Sequence, residues 1–166
     1  MTNRADSHTI HSGAVTRRIL TLAQDSGARM LVVDDDELEL ALICDRLEHC
    51  GFEVQRASNG EEAWKILQTQ WFPVILTDWQ MPVMSGIELT EKLRQNGVTD
   101  TVVLMLTVLD KSFDYERAYE AGVDEYLTKK LPEIELFARI HAAFNTLNLR
   151  RALKDAQAQL AAAGTK

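Results

Sequence analysis

Cysteine is scarce: Cys44 and Cys50 are the two in 166 residues. They stand six apart in a stretch of helical pattern and offer no metal-ligand spacing, so they read as reduced, partly buried thiols rather than a disulfide. Long apolar runs are also missing. Nothing approaches the roughly 20 residues that cross a bilayer. Behind Arg17 and Arg18, the mixed segment Ile19–Ala23 falls short of the apolar run of about 7 to 15 residues that a secretory signal requires. Export is therefore not expected, and the folded unit is placed in the cytoplasm. An excess of basic charge is lacking too. A formal net charge of -7 argues against direct binding of nucleic acid, which relies on Lys and Arg to neutralise phosphates.

What is present is an ordinary globular balance, 46% hydrophobic and 26% charged, in a length that fits one domain with extensions. Residues 1–28 form an N-terminal extension, polar at first, with Val15, Ile19 and Leu22 at the spacing of a short, solvated or frayed helix. From Arg29 short runs of Val, Ile and Leu alternate with stretches of helical period. Strands are predicted at Met30–Val33, Glu53–Arg56, Val74–Thr77, Val102–Leu106 and Glu125–Thr128. Helices are predicted at Leu38–Cys50, Glu61–Thr69, Ile87–Asn96, Ser112–Ala121 and Glu133–Leu147. Asp36, Asn59 and Ser85, each followed three residues later by Glu, supply start signals, and Gly51, Gly97 and Gly122 supply stops. The pattern predicts an α/β fold: a doubly wound, five-stranded parallel sheet with five helices over residues 29–147. In such sheets ligands bind beyond the carboxyl ends of the strands.

Those ends carry Asp34, Asp35 and Asp36, then Asp78, Thr107 and Lys129. Asp36 is explained as a helix cap. Asp34 and Asp35 are not, and with Asp78 they crowd like charges in a way that calls for a cation or a proton. Mg²⁺ suits such a gap, being a hard ion held by carboxylates, waters and phosphate oxygens. A carboxylate beside that ion can attack phosphorus and carry the group as an acyl phosphate, which singles out Asp78. Thr107 alone is an ordinary strand residue and Lys129 alone an ordinary surface charge. Together at this rim they offer the hydroxyl donor and compact positive charge that a phosphoryl group needs.

Met30-Leu31-Val32-Val33-Asp34-Asp35-Asp36, Ile75-Leu76-Thr77-Asp78-Trp79-Gln80-Met81-Pro82, Ser85-Gly86, Leu106-Thr107 and Tyr126-Leu127-Thr128-Lys129 resemble the receiver domains of two-component response regulators, of the chemotaxis-regulator kind, with a flavodoxin-like fold. The resemblance implies that Asp78 is the phosphoacceptor. It implies that Mg²⁺ is held by Asp34, Asp35, Asp78 and the backbone carbonyl of Gln80, and that Lys129 pairs with the phosphoryl oxygens. Thr107 and Tyr126 are implied as the switch, through which phosphorylation alters the face of the fourth helix, fifth strand and fifth helix. The implied donor is a histidine kinase or a histidine phosphotransfer protein. The protein would be a signalling switch rather than an enzyme with turnover.

Two departures stand out. The family usually has proline after the signature lysine, commonly in a cis peptide, whereas here the sequence reads Lys129-Lys130-Leu131-Pro132. A cis bond before a non-proline residue costs about 2.5 to 4 kcal/mol, so a trans linkage or a remodelled loop is expected. Val108 and Leu109 add bulk after Thr107, from which slow water entry and a long-lived phosphoryl group are expected. Residues 148–166 form a helical extension in which Leu149, Leu153, Ala156, Leu160 and Ala163 follow heptad spacing. That seam, or the fourth-helix, fifth-strand, fifth-helix face, is a candidate for a homodimer contact; a linker to an effector such as a diguanylate cyclase is the alternative. A Mg²⁺-dependent phosphohydrolase is the rival from the enzyme class, but it wants a second acid where Gln80 stands. Trp64, Trp71 and Trp79 form no stacking ladder and read as packing or rim aromatics.

Overall fold

The apolar runs become five parallel strands in a computed structural model that describes residues 28–108 and 115–163. They are β1 (Arg29–Val33), β2 (Glu53–Ala57), β3 (Val74–Asp78), β4 (Val102–Thr107) and β5 (Glu125–Thr128). The helices are α1 (Glu37–His49), α2 (Gly60–Leu67), α3 (Gly86–Gln95), α4 (Tyr115–Glu120) and α5 (Glu133–Ala163). The sheet order is β2-β1-β3-β4-β5. The order in which strands are added therefore reverses between β1 and β3, and the crevice beyond their carboxyl ends is the switch point of the sheet.

Strand side chains alternate between two covered faces. Met30, Val32, Val74, Leu76, Leu104 and Leu106 pack beneath α1 and α5, where Leu47, Phe137, Ile140, Phe144 and Leu147 are buried. Leu31, Val33, Ile75 and Val103 pack on the other side against Ala63 of α2 and Leu89 and Leu93 of α3. Ala118 and Ala121 join Ile87 and Met105 in a smaller cluster around α4. The outer strand β2 keeps Glu53, Gln55 and Arg56 exposed, which discourages pairing with another chain.

The starts and stops follow the signals in the sequence, with one correction in their detail. Asp36, Asn59 and Ser85 cap α1, α2 and α3. Only Ser85 and Glu88 complete a reciprocal box. Glu62 turns instead to the backbone and hydroxyl of Ser58, and Glu39 turns to Lys129. Gly51, Gly97 and Gly122 follow α1, α3 and α4 with φ of 87°, 76° and 84°.

The element boundaries shift by a residue or two. β3 and β4 each run one residue farther than predicted, so Asp78 pairs with Leu106 and Thr107 with Thr128 in the ladders. The helix predicted to reach Thr69 ends at Leu67, because Thr69 N and Gln70 N both turn back to Ile66 O. Ser112, where the fourth helix was expected to begin, lies outside the described residues, as do Leu109 and the patch of Val15, Ile19 and Leu22. Ala28 is buried, and its carbonyl accepts from Glu53 N at 3.1 Å, so the packed body includes the residue before Arg29. No peptide bond among the described residues is cis, that between Lys129 and Lys130 included.

Candidate functional site

Register brings the sequence-predicted residues to one rim. Val33 pairs with Thr77, so the next residues, Asp34 and Asp78, are lateral neighbours. Thr107 and Thr128 pair at the ends of β4 and β5, which places Lys129 beside them. Backbone hydrogen bonds lock these positions: Asp34 N to Ala57 O at 3.2 Å, Trp79 N to Leu106 O at 2.9 Å and Lys129 N to Thr107 O at 3.0 Å. One carboxylate oxygen from each of Asp34, Asp35 and Asp78 lies within 4.8 Å of the others. Asp34 and Asp78 are buried and Asp35 is exposed.

Lys129 Nζ is the cation among them. It lies 2.9 Å from Asp34 Oδ2, 3.1 Å from Asp78 Oδ1 and 2.7 Å from Glu39 Oε2. The other oxygen of Asp34 accepts from Asp36 N at 3.0 Å. The loop from β3 to α3 is held just as closely. Gly86 N donates to Trp79 O at 3.0 Å, and a Cβ on Gly86 would stand 2.1 Å from Asp78 O. Thr77 Oγ1 donates to that same carbonyl at 3.0 Å.

Among the described residues, four carboxylates, those of Asp34, Asp35, Asp78 and Glu39, thus face one ammonium. Burial pushes the Asp78 carboxyl above its ordinary value, and the charge on Asp34 adds to the rise against the opposing pull of Lys129 and of the Trp79 N–H. For Lys129, burial works against the charged form. Hydrogen bonds to Glu39 and Asp34, with the charges of Asp78 and Asp34, outweigh it and hold the ammonium above the usual lysine range. A hard divalent cation fits this donor set, since it would relieve the repulsion that one ammonium leaves uncompensated. The hydroxyl of Thr107 points the same way. Thr107 is 1% exposed and its Oγ1 has no hydrogen-bond partner among the described residues, an arrangement that costs about 1 to 3 kcal/mol until a partner arrives.

The remaining predicted residues sit at the edge of this cluster. Gln80 is exposed, two residues beyond Asp78 in the loop that leads to α3. Tyr126 is half-exposed on β5, paired with Met105. Val108 is more than half exposed. Glu39 is the site residue that the sequence did not disclose. Its place three residues after Asp36 is sufficiently explained by capping, and only the fold shows its side chain reaching β5's end.

The family described as response regulator receiver domain matches residues 30–141. Among curated proteins the chain is 40% identical over 114 residues to the alkaline phosphatase synthesis transcriptional regulatory protein PhoP of Bacillus subtilis, covering 69% of this chain and 47% of that protein. It is 36% identical over 121 residues to the phosphate regulon transcriptional regulatory protein PhoB of Escherichia coli, covering 72% and 53%. The chain therefore spans about half the length of these relatives. Among solved structures, a CheY-like receiver domain protein of Methanospirillum hungatei superposes with a TM-score of 0.69 at 27% identity, covering 74% of this chain and 97% of that one. The response regulator TrrA of Thermotoga maritima, solved in complex with Mg(2+)-BeF, gives a TM-score of 0.63 at 30% identity, covering 69% and 97%.

Proposed function

This chain belongs to the family of response regulator receiver domains, and from that premise we propose that it is a switch in two-component signalling whose phosphoacceptor is Asp78. A carboxylate oxygen of Asp78 attacks the phosphorus of a phosphohistidine or of a small acyl phosphate. The new bond is O–P; the bond that breaks is P–N of the imidazole or P–O of the acyl phosphate, and the leaving group takes that electron pair. Asp34, Asp35, Asp78 and the backbone carbonyl of Gln80 would hold Mg²⁺. When bound, that ion neutralises the acids and balances the charge of the transferred oxygens.

Lys129, already paired with Asp78, is in reach to follow the phosphoryl oxygens, and Thr107 Oγ1 supplies a donor that has no competing partner among the described residues. Together they orient the group after transfer. The observation that carries this reading is the meeting of three carboxylates within 4.8 Å beside the half-buried ammonium of Lys129 at the switch point. Incubation with acetyl phosphate and Mg²⁺ is expected to give one acid-stable, base-labile phosphoryl group per chain, absent from Asp78→Asn and absent with EDTA. Equal labelling of Asp78→Asn would overturn the assignment.

The donor in the cell is a histidine kinase or a histidine phosphotransfer protein, and the setting is the cytoplasm. No helix among the described residues is long and apolar enough to cross a membrane. That this chain does not itself contact nucleic acid rests on its charge of -7; the relatives named above are transcriptional regulatory proteins. Self-association belongs to the same proposal. Tyr119 of α4 and Tyr126 of β5 are exposed on one side of the sheet, where a change at Thr107 and Tyr126 would be read by a second copy. Sedimentation equilibrium with and without beryllofluoride checks it, and an unchanged monomer under both conditions rules it out.

A further inference from the structure

The last buried side chain of α5 is Leu147, yet the helix continues to Ala163 with every residue from 148 to 163 exposed. A segment of that length with no fully buried side chain is marginal by itself in water. Three of its side chains reach back to the body. Arg150 Nη2 donates to Asp124 Oδ1 at 2.8 Å, Lys154 Nζ pairs with Asp100, and the guanidinium of Arg151 lies 4.7 Å from the centre of the Trp71 ring.

The three partners share a location. Trp71 precedes β3, Asp100 precedes β4 and Asp124 precedes β5. All therefore stand at the amino ends of the strands, at the opposite edge of the sheet from Asp78. Asp124 is a fixed anchor, since its Oδ2 accepts from Arg94 Nη2 at 2.8 Å and from Val103 N at 2.9 Å. A cavity of about 460 Å³ between Asp100, Asp124, Arg150, Leu153 and Lys154 marks where the helix crosses this edge. At about 100° of turn per residue, Arg150, Arg151 and Lys154 share one side of the helix. The row Leu149, Leu153, Ala156, Leu160 and Ala163 is centred roughly 150° away; Leu149 and Leu160 are 72% and 73% exposed.

We infer that residues 148–163 are a strap: a helix docked by its basic face across the amino edge of the sheet, which fixes the direction of the chain and, with Leu153 at the border beside the cavity, turns Leu149, Ala156, Leu160 and Ala163 to solvent. The inference is independent of the phosphoryl chemistry at the other edge. Each contact is exposed and weak alone, and salt screens the ionic ones. The strap is therefore held by the sum of the three contacts.

Amide hydrogen exchange on the full chain tests it. In the double variant Arg150→Gln/Lys154→Gln, exchange over residues 152–163 is expected to rise about tenfold at low salt, with residues 133–147 unchanged. Gln matches Arg and Lys in helix propensity, so intrinsic helicity is not what the variant alters. Adding 0.5 M NaCl, an amount on the order of several times physiological ionic strength, should raise parent exchange in the same segment. Asp100→Asn, which breaks one contact from the body's side, should give a smaller rise. The same exchange in parent and double variant, or a parent segment exchanging like an unstructured peptide, would overturn the inference.

Discussion

Val83 has a backbone conformation that its side chain opposes. Its φ is 71°, a region that β-branched residues rarely enter. Met84 N donates to Pro82 O across it at 2.8 Å, closing a tight three-residue turn in the loop between Asp78 and α3. Val83 is 83% exposed, so almost no packing compensates. Strain of this kind costs roughly 1 to 3 kcal/mol, against which glycine would lose about 0.5 to 1 kcal/mol in chain entropy. Val83→Gly is therefore expected to stabilise the protein by about 1 kcal/mol, read as a higher urea midpoint at unchanged slope. A lower midpoint would show that the loop does not hold this turn in solution. At the same scale, Asp34, Asp35, Asp78, Thr107 and Lys129 were legible because each ends an apolar run, and strand ends are where a parallel sheet gathers polar groups. Glu39 was not, because a residue that satisfies one local rule gives no sign of a second, long-range partner.

The connection from β3 to α3 shows how an element is fitted to the site. Gly86 begins α3 at a point where a Cβ would press on the carbonyl of Asp78 at 2.1 Å and on Thr77 Oγ1 at 2.9 Å. The nearer obstacle is backbone in a buried strand, which has no rotamer to yield. Gly86→Ala is thus expected to destabilise by at least about 2 kcal/mol, toward the upper range for overpacking. It should also weaken divalent-cation binding, because relief requires moving the end of β3, which bears Asp78, or the following loop, which bears Gln80. Denaturation and metal titration check the two effects, and a variant as stable as the parent would contradict the close approach. Elements as a whole were readable from the sequence. Continuous apolar runs in β3 and β4 announce strands covered on both faces, and Ser85 with Glu88 announces α3. The run of α5 to Ala163 is readable too, from its helical period. That it is held at Trp71, Asp100 and Asp124 is not readable, because those partners are distant in sequence and each contact is a lone surface charge or ring.

For the molecule as a whole, the crowding of acids at one rim couples folding to protons and to metal. The Asp78 carboxyl lies above its ordinary 3.8 in the folded state, mainly through burial. The folded form thus holds this proton more readily than the unfolded form, and the linkage slope is negative: its contribution to stability falls as pH rises through the folded value and is recovered on acidification. Lys129 adds no slope there. Its folded value is raised, so its contribution is present throughout below the ordinary 10.5 and fades only as pH climbs through the folded value. Glu62 and Glu88 act oppositely to Asp78, held low by hydrogen bonds from Ser58 and Ser85, but as surface groups they contribute little. Asp78→Asn removes the titrating carboxyl, so its stability advantage over the parent is expected to grow as pH rises above about 4 and to level off once the folded carboxyl has ionised. A divalent cation should reverse the parent's penalty, since it binds the ionised acids of the folded chain: at a hundredfold excess over Kd it adds about 2.7 kcal/mol. That gain should be greatest where Asp78 is ionised and shrink as acidification returns its proton. Thermal melts with Mg²⁺ and with EDTA across this range provide the measurement. A Mg²⁺ effect that is constant with pH, or that survives intact in Asp78→Asn, would mean the ion binds elsewhere and that the repulsion at the rim is relieved by Lys129 alone.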